Sequence, residues 1–559
     1  MKKLATLFSN PLFYVISLYI ITLLAINPFG EFVVNDEWAH SRQVEAFINH
    51  VWRIQANTDA VLILQAFIGY FASLLFGFSH TLLKLTSVAS AIFLLTGVYM
   101  IIRFFELPKK LMYFVLLMTA FNPLIFHLSA IFMTDIPFLA LFTWSLFFFS
   151  RGIATSNKRD EFFGIIFSSF SVLIRQAGVV PFIAYVTVKA YKHFTEKERL
   201  NMNFWAGVVV FALFFSLSLL YPRYSADSTG ILVKLTSDLI RIRDIPSRIM
   251  ELLTFVIYFG FFLSPLVYAV KPLSKKNSLL TLLLAIPLVY LTYKLNVFFV
   301  GNILYTEGLY AKHEPVFVLN ILSHQTTKVL LSLIIGVASA KFLVLLLKYK
   351  PDTTNFFLGL TVLGSLSILL FPNDLYDRYF LPLFIATLLY LAYNIGKTPL
   401  NTWKAGGFLL LLAGISVILN YDYFNTIKAK WQTASDITSK TGVKTKIYVN
   451  GTFTKHVVTK KTGDFTGLTY IDSLANFLCY TEIEPTEKNP TALSKLLENT
   501  DLFLLKSFGL PPKIQEQRKK LSIPVVASEN RNVVAEYTVS SPLYSLDGTE
   551  IKVVGWCPK

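Results

Sequence analysis

The sequence predicts a polytopic α-helical membrane protein of about 13 spanning helices, followed by a small extracytoplasmic α/β domain. Of the 559 residues, 54% are hydrophobic and only 15% are charged, whereas soluble globular proteins carry roughly 25% charged residues. Apolar runs recur as far as residue 420, and short alternating runs replace them beyond it. We therefore expect a membrane domain over residues 1–420 and an extramembrane domain over residues 421–559.

The apolar runs give the predicted helices, because a spanning helix needs ~20 mostly apolar residues, or ~17 at the short end. Such runs lie near residues 11–28, 83–104, 111–127, 131–150, 160–175, 177–193, 202–221, 249–271, 277–298, 328–347, 355–371, 378–396 and 404–420. We expect the first run to be retained as a helix, since no small-residue cleavage site follows it. Segment 61–78 is also apolar, and it either lies in the interface or enters the membrane.

The distribution of cations predicts the orientation. If Lys2 and Lys3 are cytoplasmic, most Lys and Arg residues between the runs fall in loops that return to the cytoplasm, as the positive-inside rule requires. This assigns the net charge of +17 to topology, and no basic stripe with interleaved aromatics indicates a nucleic-acid partner. The outer side then receives loop 29–82, segments 222–248 and 299–327, and the tail from 421.

The tail has the pattern of a small mixed domain. Residues 446–449, 502–505, 533–539 and 551–554 are predicted strands, and residues 491–499 a predicted helix. Cys479 and Cys557 both lie here; a disulfide between them requires an oxidising compartment and suitable geometry. No cysteine–histidine cluster has the spacing of a structural zinc site.

Adjacent acids open the first outer loop. Asp36 and Glu37 follow the first apolar run, where carboxylates serve as a base or as ligands of a cation or substrate; the alternative is that they only favour a helix N-terminus. An apolar stripe of Val44, Ile48 and Val51 predicts a helix along the membrane interface, with Trp38 and Trp52 at headgroup level.

Further ionisable residues fall at the predicted outer ends of helices. Asp135 lies at the depth expected for Asp36, and an ionisable residue at membrane depth is a functional candidate because burying it is costly. Arg175 and Arg378 run against the positive-inside trend, and a guanidinium there suits a phosphate, which it grips with two parallel hydrogen bonds. The alternative is structural ion pairing, for example between Asp377 and Arg378.

The outer loop 299–327 adds weaker candidates. Glu307, Lys312, His313 and Glu314 are polar, but the adjacent positions of His313 and Glu314 are poor for converging metal ligands. His127 is expected to be a packed helix-end residue.

Several motifs, taken in order, resemble the GT-C superfamily of membrane glycosyltransferases. They are the Asp36-Glu37 pair, the stretches 64–70 and 75–79, the turn 134–137, the turn Arg175-Gln176 and the stretch 377–382. The most similar branch is the bacterial protein-mannosyltransferase and aminoarabinose-transferase type. Ala39-His40 stand where that family often has Arg-Tyr, and Asp59-Ala60 stand where it usually has Pro-Pro.

The resemblance implies transfer of a sugar from a polyprenyl-phosphate donor at the outer face of a prokaryotic plasma (inner) membrane. It implies that Asp36 is the general base, with Glu37 and Asp135 as further acids of the catalytic site. Arg175, Arg378, Tyr379 and Asp377 would bind the donor phosphate, and His40, Glu307 and His313 are candidate contacts in the acceptor loops. The resemblance leaves open whether the acceptor is a protein, a lipid or a glycan, and whether a divalent cation takes part.

Two other functions remain compatible with these residues. A transporter or flippase of a lipid-linked saccharide would use the same arginines without chemistry, although the ionisable groups cluster at helix ends and not at the bilayer midplane. The other alternative is a catalytically inactive protein with the same fold.

Overall fold

The computed structural model describes residues 10–55, 61–200, 202–221, 223–224, 245–270, 274–295, 303–305, 308–310, 324–347, 350–370, 375–396, 398–441, 447–448, 479–487, 531–539 and 549–558. Over these residues the chain is mostly helical, and a small sheet lies near its C-terminal end.

The first part of the chain is a series of helices joined by short turns. They are α1 (Pro11–Ile26), α2 (Glu37–Ile48), α3 (Ile63–Phe76), α4 (His80–Phe104), α5 (Lys109–Ala120), α6 (Pro123–Ser129), α7 (Asp135–Thr155), α8 (Lys158–Val172), α9 (Val179–Glu196) and α10 (Met202–Leu220). A 3₁₀ turn, Gln176–Gly178, joins α8 to α9. The short strands β1 (Ile54–Gln55) and β2 (Arg223–Tyr224) pair in parallel.

The second part continues with helices and one small hairpin. The helices are α11 (Ile245–Phe262), α12 (Ser264–Ala269), α13 (Lys275–Lys294), α14 (Gln325–Leu346), α15 (Thr353–Ile368), α16 (Leu381–Ile395) and α17 (Thr402–Thr441). Strands β3 (Leu304–Tyr305) and β4 (Gly308–Leu309) form the hairpin, and a 3₁₀ turn, Asp377–Phe380, precedes α16.

Each predicted apolar run coincides with a helix or with a pair of helices. Within the described residues, seven helices are long and apolar enough to cross a membrane, or up to eight if the bent pair α5–α6 forms one span. The chain is therefore an integral membrane protein, whereas the total of about 13 spans stays a prediction. Segment 61–78 contains the shorter apolar helix α3.

Local sequence explains where several helices begin. Asn122 accepts the amide hydrogens of Leu124 and Ile125, and Pro123 occupies the first turn of α6, where a missing N–H costs nothing. The 59° bend between α5 and α6 falls at this cap. At α4, the Ser79 hydroxyl accepts the Leu82 N–H, and the Glu31 carboxylate accepts the amides of His80 and Thr81.

The prediction for the first outer loop needs correction. α2 forms as expected, but most of its residues are buried on all sides. Trp38 packs with Val33 and Ala39 against Trp431 of α17, so it does not lie at the surface. Trp52 is exposed and stacks on Phe67 of α3, and its placement at headgroup level stays a prediction.

The helix predicted over residues 404–420 is longer than expected. The observed helix, α17, begins at Thr402 and ends at Thr441. The strands β5 (Ile447–Tyr448), β6 (Cys479–Glu487), β7 (Arg531–Val539) and β8 (Thr549–Pro558) form a sheet in the order β5-β6-β8-β7. Among these described strands, β5 and β6 pair in parallel, and β8 pairs antiparallel with both β6 and β7. The predicted strand 502–505 and helix 491–499 lie outside the described residues, and pairing of Cys479 with Cys557 stays a prediction.

Candidate active site

The centre of the candidate site is an ion pair between Asp36, at the start of α2, and Arg378, in the turn before α16. Both terminal nitrogens of Arg378 donate to Oδ2 of Asp36, each at 3.2 Å. Oδ1 of Asp36 accepts no hydrogen bond from the described residues. Nε of Arg378 is buried and has no partner among those residues.

A second ion pair involves the other two predicted residues. Nη2 of Arg175 lies 3.0 Å from Oδ2 of Asp135, and Nε of Arg175 donates to the Thr134 hydroxyl at 2.8 Å. Asp135 begins α7, where the helix dipole favours a negative charge. Thr134 was not predicted as a site residue, although it directly precedes Asp135.

The ring of Tyr379 joins the two pairs into one site. The guanidinium carbons of Arg175 and Arg378 each lie 5.8 Å from its centroid, within the range of cation–π attraction. Arg378 also lies 5.5 Å from the ring of Tyr376. Four segments that are distant in the chain therefore meet at helix ends, as the sequence predicted for Asp36, Asp135, Arg175 and Arg378.

Exposure separates the two acids. The Asp36 side chain is 47% exposed and that of its partner Arg378 is 10% exposed. Asp135 is 3% exposed and Arg175 is 17% exposed. A ligand can therefore reach Asp36 directly, whereas Asp135 lies behind Arg175.

Glu37 is not placed to touch a substrate, which corrects its predicted role. Its side chain is fully buried, and its two carboxylate oxygens accept the amide hydrogens of Val34 at 2.9 Å and of Phe132 at 3.3 Å. Burial raises the pKa of this carboxyl to about 7, although Lys84 and the two amides favour its charged form. Glu37 therefore ties the Asp36 turn to the segment before α7.

Asp377 is fully buried, so its carboxylate is not placed to contact a phosphate as predicted. Its buried carboxylate accepts the amide hydrogens of Leu304 at 2.6 Å, Ile303 at 3.1 Å and Arg378 at 2.7 Å. These bonds fix the β3–β4 hairpin beside the turn that carries Arg378. Asp377 therefore positions the turn that carries Arg378.

Of the three predicted acceptor contacts, only His40 lies within the described residues; Glu307 and His313 lie outside them. His40 is buried, and its Nδ1 is 3.2 Å from the carbonyl oxygen of Phe132, so Nδ1–H is the donor. Burial lowers the pKa of His40 to about 4, with Asp36 opposing that shift and Arg378 adding to it. His40 is therefore neutral at physiological pH. Its bond to the Phe132 carbonyl links α2 to the segment before α7.

Lys84 is a buried charged residue near the site that the sequence analysis did not single out. It is fully buried in α4, with Nζ 2.7 Å from the carbonyl oxygen of Phe32 and 3.4 Å from the centroid of the Phe32 ring. The Lys84 ammonium thereby fixes the segment that precedes Asp36 in the chain. A lysine inside an apolar helix is a functional signal in its own right, and this signal was available.

His127 and Tyr310 form a buried layer beside the site. Nδ1 of His127 lies 2.7 Å from Oδ1 of Asn420, and Nε2 lies 3.3 Å from the Tyr310 hydroxyl. The Asn420 oxygen can only accept, so Nδ1 carries the proton and the Tyr310 hydroxyl donates to Nε2. His127 is thus a packed residue, as its position predicted, and it anchors the end of the β3–β4 hairpin.

Within the described ranges, no group of three or more His, Cys, Asp or Glu side chains is arranged to hold a metal ion. The expectation of a divalent cation therefore stays open.

Comparisons with known proteins add little to this geometry. No protein-family model matches the chain, and no curated protein matches it. Among solved structures, ArnT from Cupriavidus metallidurans bound to undecaprenyl phosphate is similar at 11% identity and a TM-score of 0.35, over 97% of each chain. ArnT from the same organism in the apo state gives 10% identity and a TM-score of 0.32, over 96% of this chain and 97% of that chain. TM-scores this low carry neither fold nor function over to this chain.

Proposed function

We propose that this protein is an inverting glycosyltransferase that moves a sugar from a polyprenyl-phosphate donor to an acceptor at the outer face of the membrane. The observation that carries the proposal is the half-exposed Asp36 carboxylate paired with Arg378, 3.2 Å away, with a second arginine across the Tyr379 ring. One accessible carboxylate beside two guanidiniums suits a reaction that needs a base and releases a phosphate.

The charges of the four residues explain how the donor would engage them. Two acids and two arginines balance, so the donor phosphate must displace one acid to be neutralised. Asp36 is the one to move, because Asp135 is only 3% exposed. The phosphate would take Arg378, whose planar fork grips phosphate oxygens in pairs, and would thereby free Asp36.

The freed carboxylate then acts as the general base. The acceptor hydroxyl attacks the anomeric carbon, the bond from that carbon to the phosphate oxygen breaks, and the hydroxyl proton passes to Asp36. Proton transfer to a positioned base contributes ~10²–10⁴-fold to such a step. Arg175 and Arg378 stabilise the negative charge that grows on the departing polyprenyl phosphate.

Turnover of a radiolabelled polyprenyl-phosphate sugar by the purified full-length chain in lipid nanodiscs tests the proposal. We expect release of polyprenyl phosphate and a glycoside of inverted anomeric configuration. Retained configuration would exclude direct displacement. Movement of the intact donor between leaflets without loss of sugar would support the flippase instead.

A further inference from the structure

A cleft lies beside the candidate active site, between the first outer loop and α17. The cleft has a volume of about 580 Å³, within the range of small-ligand sites. Among the described residues that line it, Phe29 and Trp431 are partly exposed and Phe32 is buried against Lys84, whereas Glu31, Gln432 and Ser435 are polar. Aromatic faces with a few hydrogen-bonding groups suit a sugar ring, which has an apolar face and a rim of hydroxyls.

One face of α17 builds one wall of the cleft. Lys428, Trp431, Gln432 and Ser435 have the helical spacing that places side chains on a common face. Gln432 and Ser435 are exposed and make no hydrogen bond to the described residues. They are free to bond a ligand.

Residues 29–32 form the opposite wall of the cleft, and contacts with α4 fix their position. Gly30 has φ +144°, and a Cβ there would lie 2.9 Å from the Phe32 ring, so only glycine gives the wall this shape. The Lys84 ammonium holds the Phe32 carbonyl, and Glu31 is bound to the start of α4. The wall is therefore rigid before any ligand arrives.

The cleft is coupled to Asp36 through Trp431. This ring lines the cleft and also packs against Val33, Trp38 and Ala39, which flank Asp36 in the chain. The C-terminal sheet is attached nearby, where the Tyr537 hydroxyl donates to Asp436. The sheet therefore contacts the same helix, α17, that forms one wall of the cleft.

We infer that this cleft binds the saccharide part of the acceptor and that the acceptor is a glycan or glycolipid. The inference rests on the proposed function, because it supplies the second substrate of that reaction. A peptide acceptor is disfavoured, because the described residues of the cleft offer ring faces and isolated polar groups and include no strand edge for backbone pairing.

The test uses Ser435→Trp, which obstructs the cleft without removing a packed side chain, and Ser439→Trp as its matched control. Ser439 is an exposed serine one turn further along α17 and does not line the cleft. The probe is the oligosaccharide fraction released by mild acid from the cell envelope, and binding is read by saturation-transfer NMR. Wild type and Ser439→Trp should bind, and Ser435→Trp should not.

Turnover supplies the second readout. We expect Ser435→Trp to raise the KM for the glycan fraction at least about tenfold while the KM for the donor stays unchanged. Equal binding by both serine variants, no binding by wild type, or label transferred only to envelope peptides would overturn the inference. Cleft-dependent saccharide binding without any donor turnover would instead refute the transferase and leave the saccharide site standing.

Discussion

Arg378 donates both of its terminal N–H groups to a single carboxylate oxygen of Asp36, although 342 residues separate them in the chain. Such a pair leaves the second carboxylate oxygen open and makes the acid and the phosphate competitors for one guanidinium. The reaction proposed above depends on this competition, and the following variants measure its parts.

Asp36→Asn should separate catalysis from donor binding. We expect kcat to fall by ~10²–10⁴-fold, because the general base is lost. Donor affinity should rise, because the amide no longer competes with phosphate for Arg378. Single-turnover kinetics and binding of a fluorescent polyprenyl phosphate measure the two effects.

Asp352→Asn is the control for that change. Asp352 caps α15 through the Asn355 amide, and asparagine caps as well as aspartate. Loss of donor affinity in Asp36→Asn, with the control unaffected, would refute the competition between acid and phosphate.

Arg378→Lys should weaken donor binding although it keeps the charge. Lysine is a point cation and lacks the planar fork, so we expect the KM for the donor to rise about tenfold. Arg151→Lys is the matched control, since Arg151 pairs with Asp160 away from the site. Similar donor KM values in both variants would show that Arg378 does not bind the donor.

Tyr379→Ala and Tyr379→Phe form a pair that tests the ring between the arginines. Loss of a cation–π contact costs ~0.5–2 kcal/mol, so alanine should weaken donor affinity roughly 2- to 30-fold. Phenylalanine keeps the ring and should bind the donor as wild type does. Equal weakening in both variants would point to the hydroxyl.

Glu37→Gln should alter the pH dependence of stability. Burial raises the pKa of Glu37 from 4.5 to about 7, so the folded state holds this proton more tightly than the unfolded state. The Glu37 contribution to the free energy of unfolding therefore falls between pH 4.5 and pH 7, by about 3 kcal/mol at ~1.4 kcal/mol per pKa unit. His40, with its pKa lowered to about 4, contributes in the opposite direction and is present in both proteins.

Denaturant unfolding of wild type and Glu37→Gln across that pH range isolates the Glu37 contribution as the difference between the two slopes. The amide should also cost ~1–3 kcal/mol at every pH, because one buried backbone N–H loses its acceptor. A wild-type slope in Glu37→Gln would contradict the assignment.

Lys84→Met should reveal the support beneath the Asp36 turn. The Phe32 carbonyl would lose its donor in a buried place, at ~1–3 kcal/mol of stability, and kcat should fall while the donor KM stays unchanged. Lys341→Met is the matched control, because the Lys341 ammonium also donates to a backbone carbonyl, that of Val270. If both variants lose only stability, Lys84 has no part in placing Asp36.

The sequence predicted what depends on local pattern. Apolar runs located the helices, and the unusual positions of Asp36, Asp135, Arg175 and Arg378 marked the site. It could not show which acid pairs with which arginine, because those contacts depend on how distant helix ends pack.

Burial was equally hidden in the local pattern. Nothing in the adjacent letters of Asp36 and Glu37 shows that one is half exposed and the other fully enclosed. Trp38 was predicted at headgroup level because the apolar stripe of α2 indicated a helix along the membrane interface. The longer helix brings Trp431 over Trp38.

The most direct test is a cryo-electron microscopy structure of the full-length chain in nanodiscs with polyprenyl phosphate. The phosphate should lie within hydrogen-bond distance of the Arg378 guanidinium, with Asp36 released from Arg378 and its carboxylate facing the outer side. A phosphate bound elsewhere, with the Asp36–Arg378 pair intact, would contradict the proposed site.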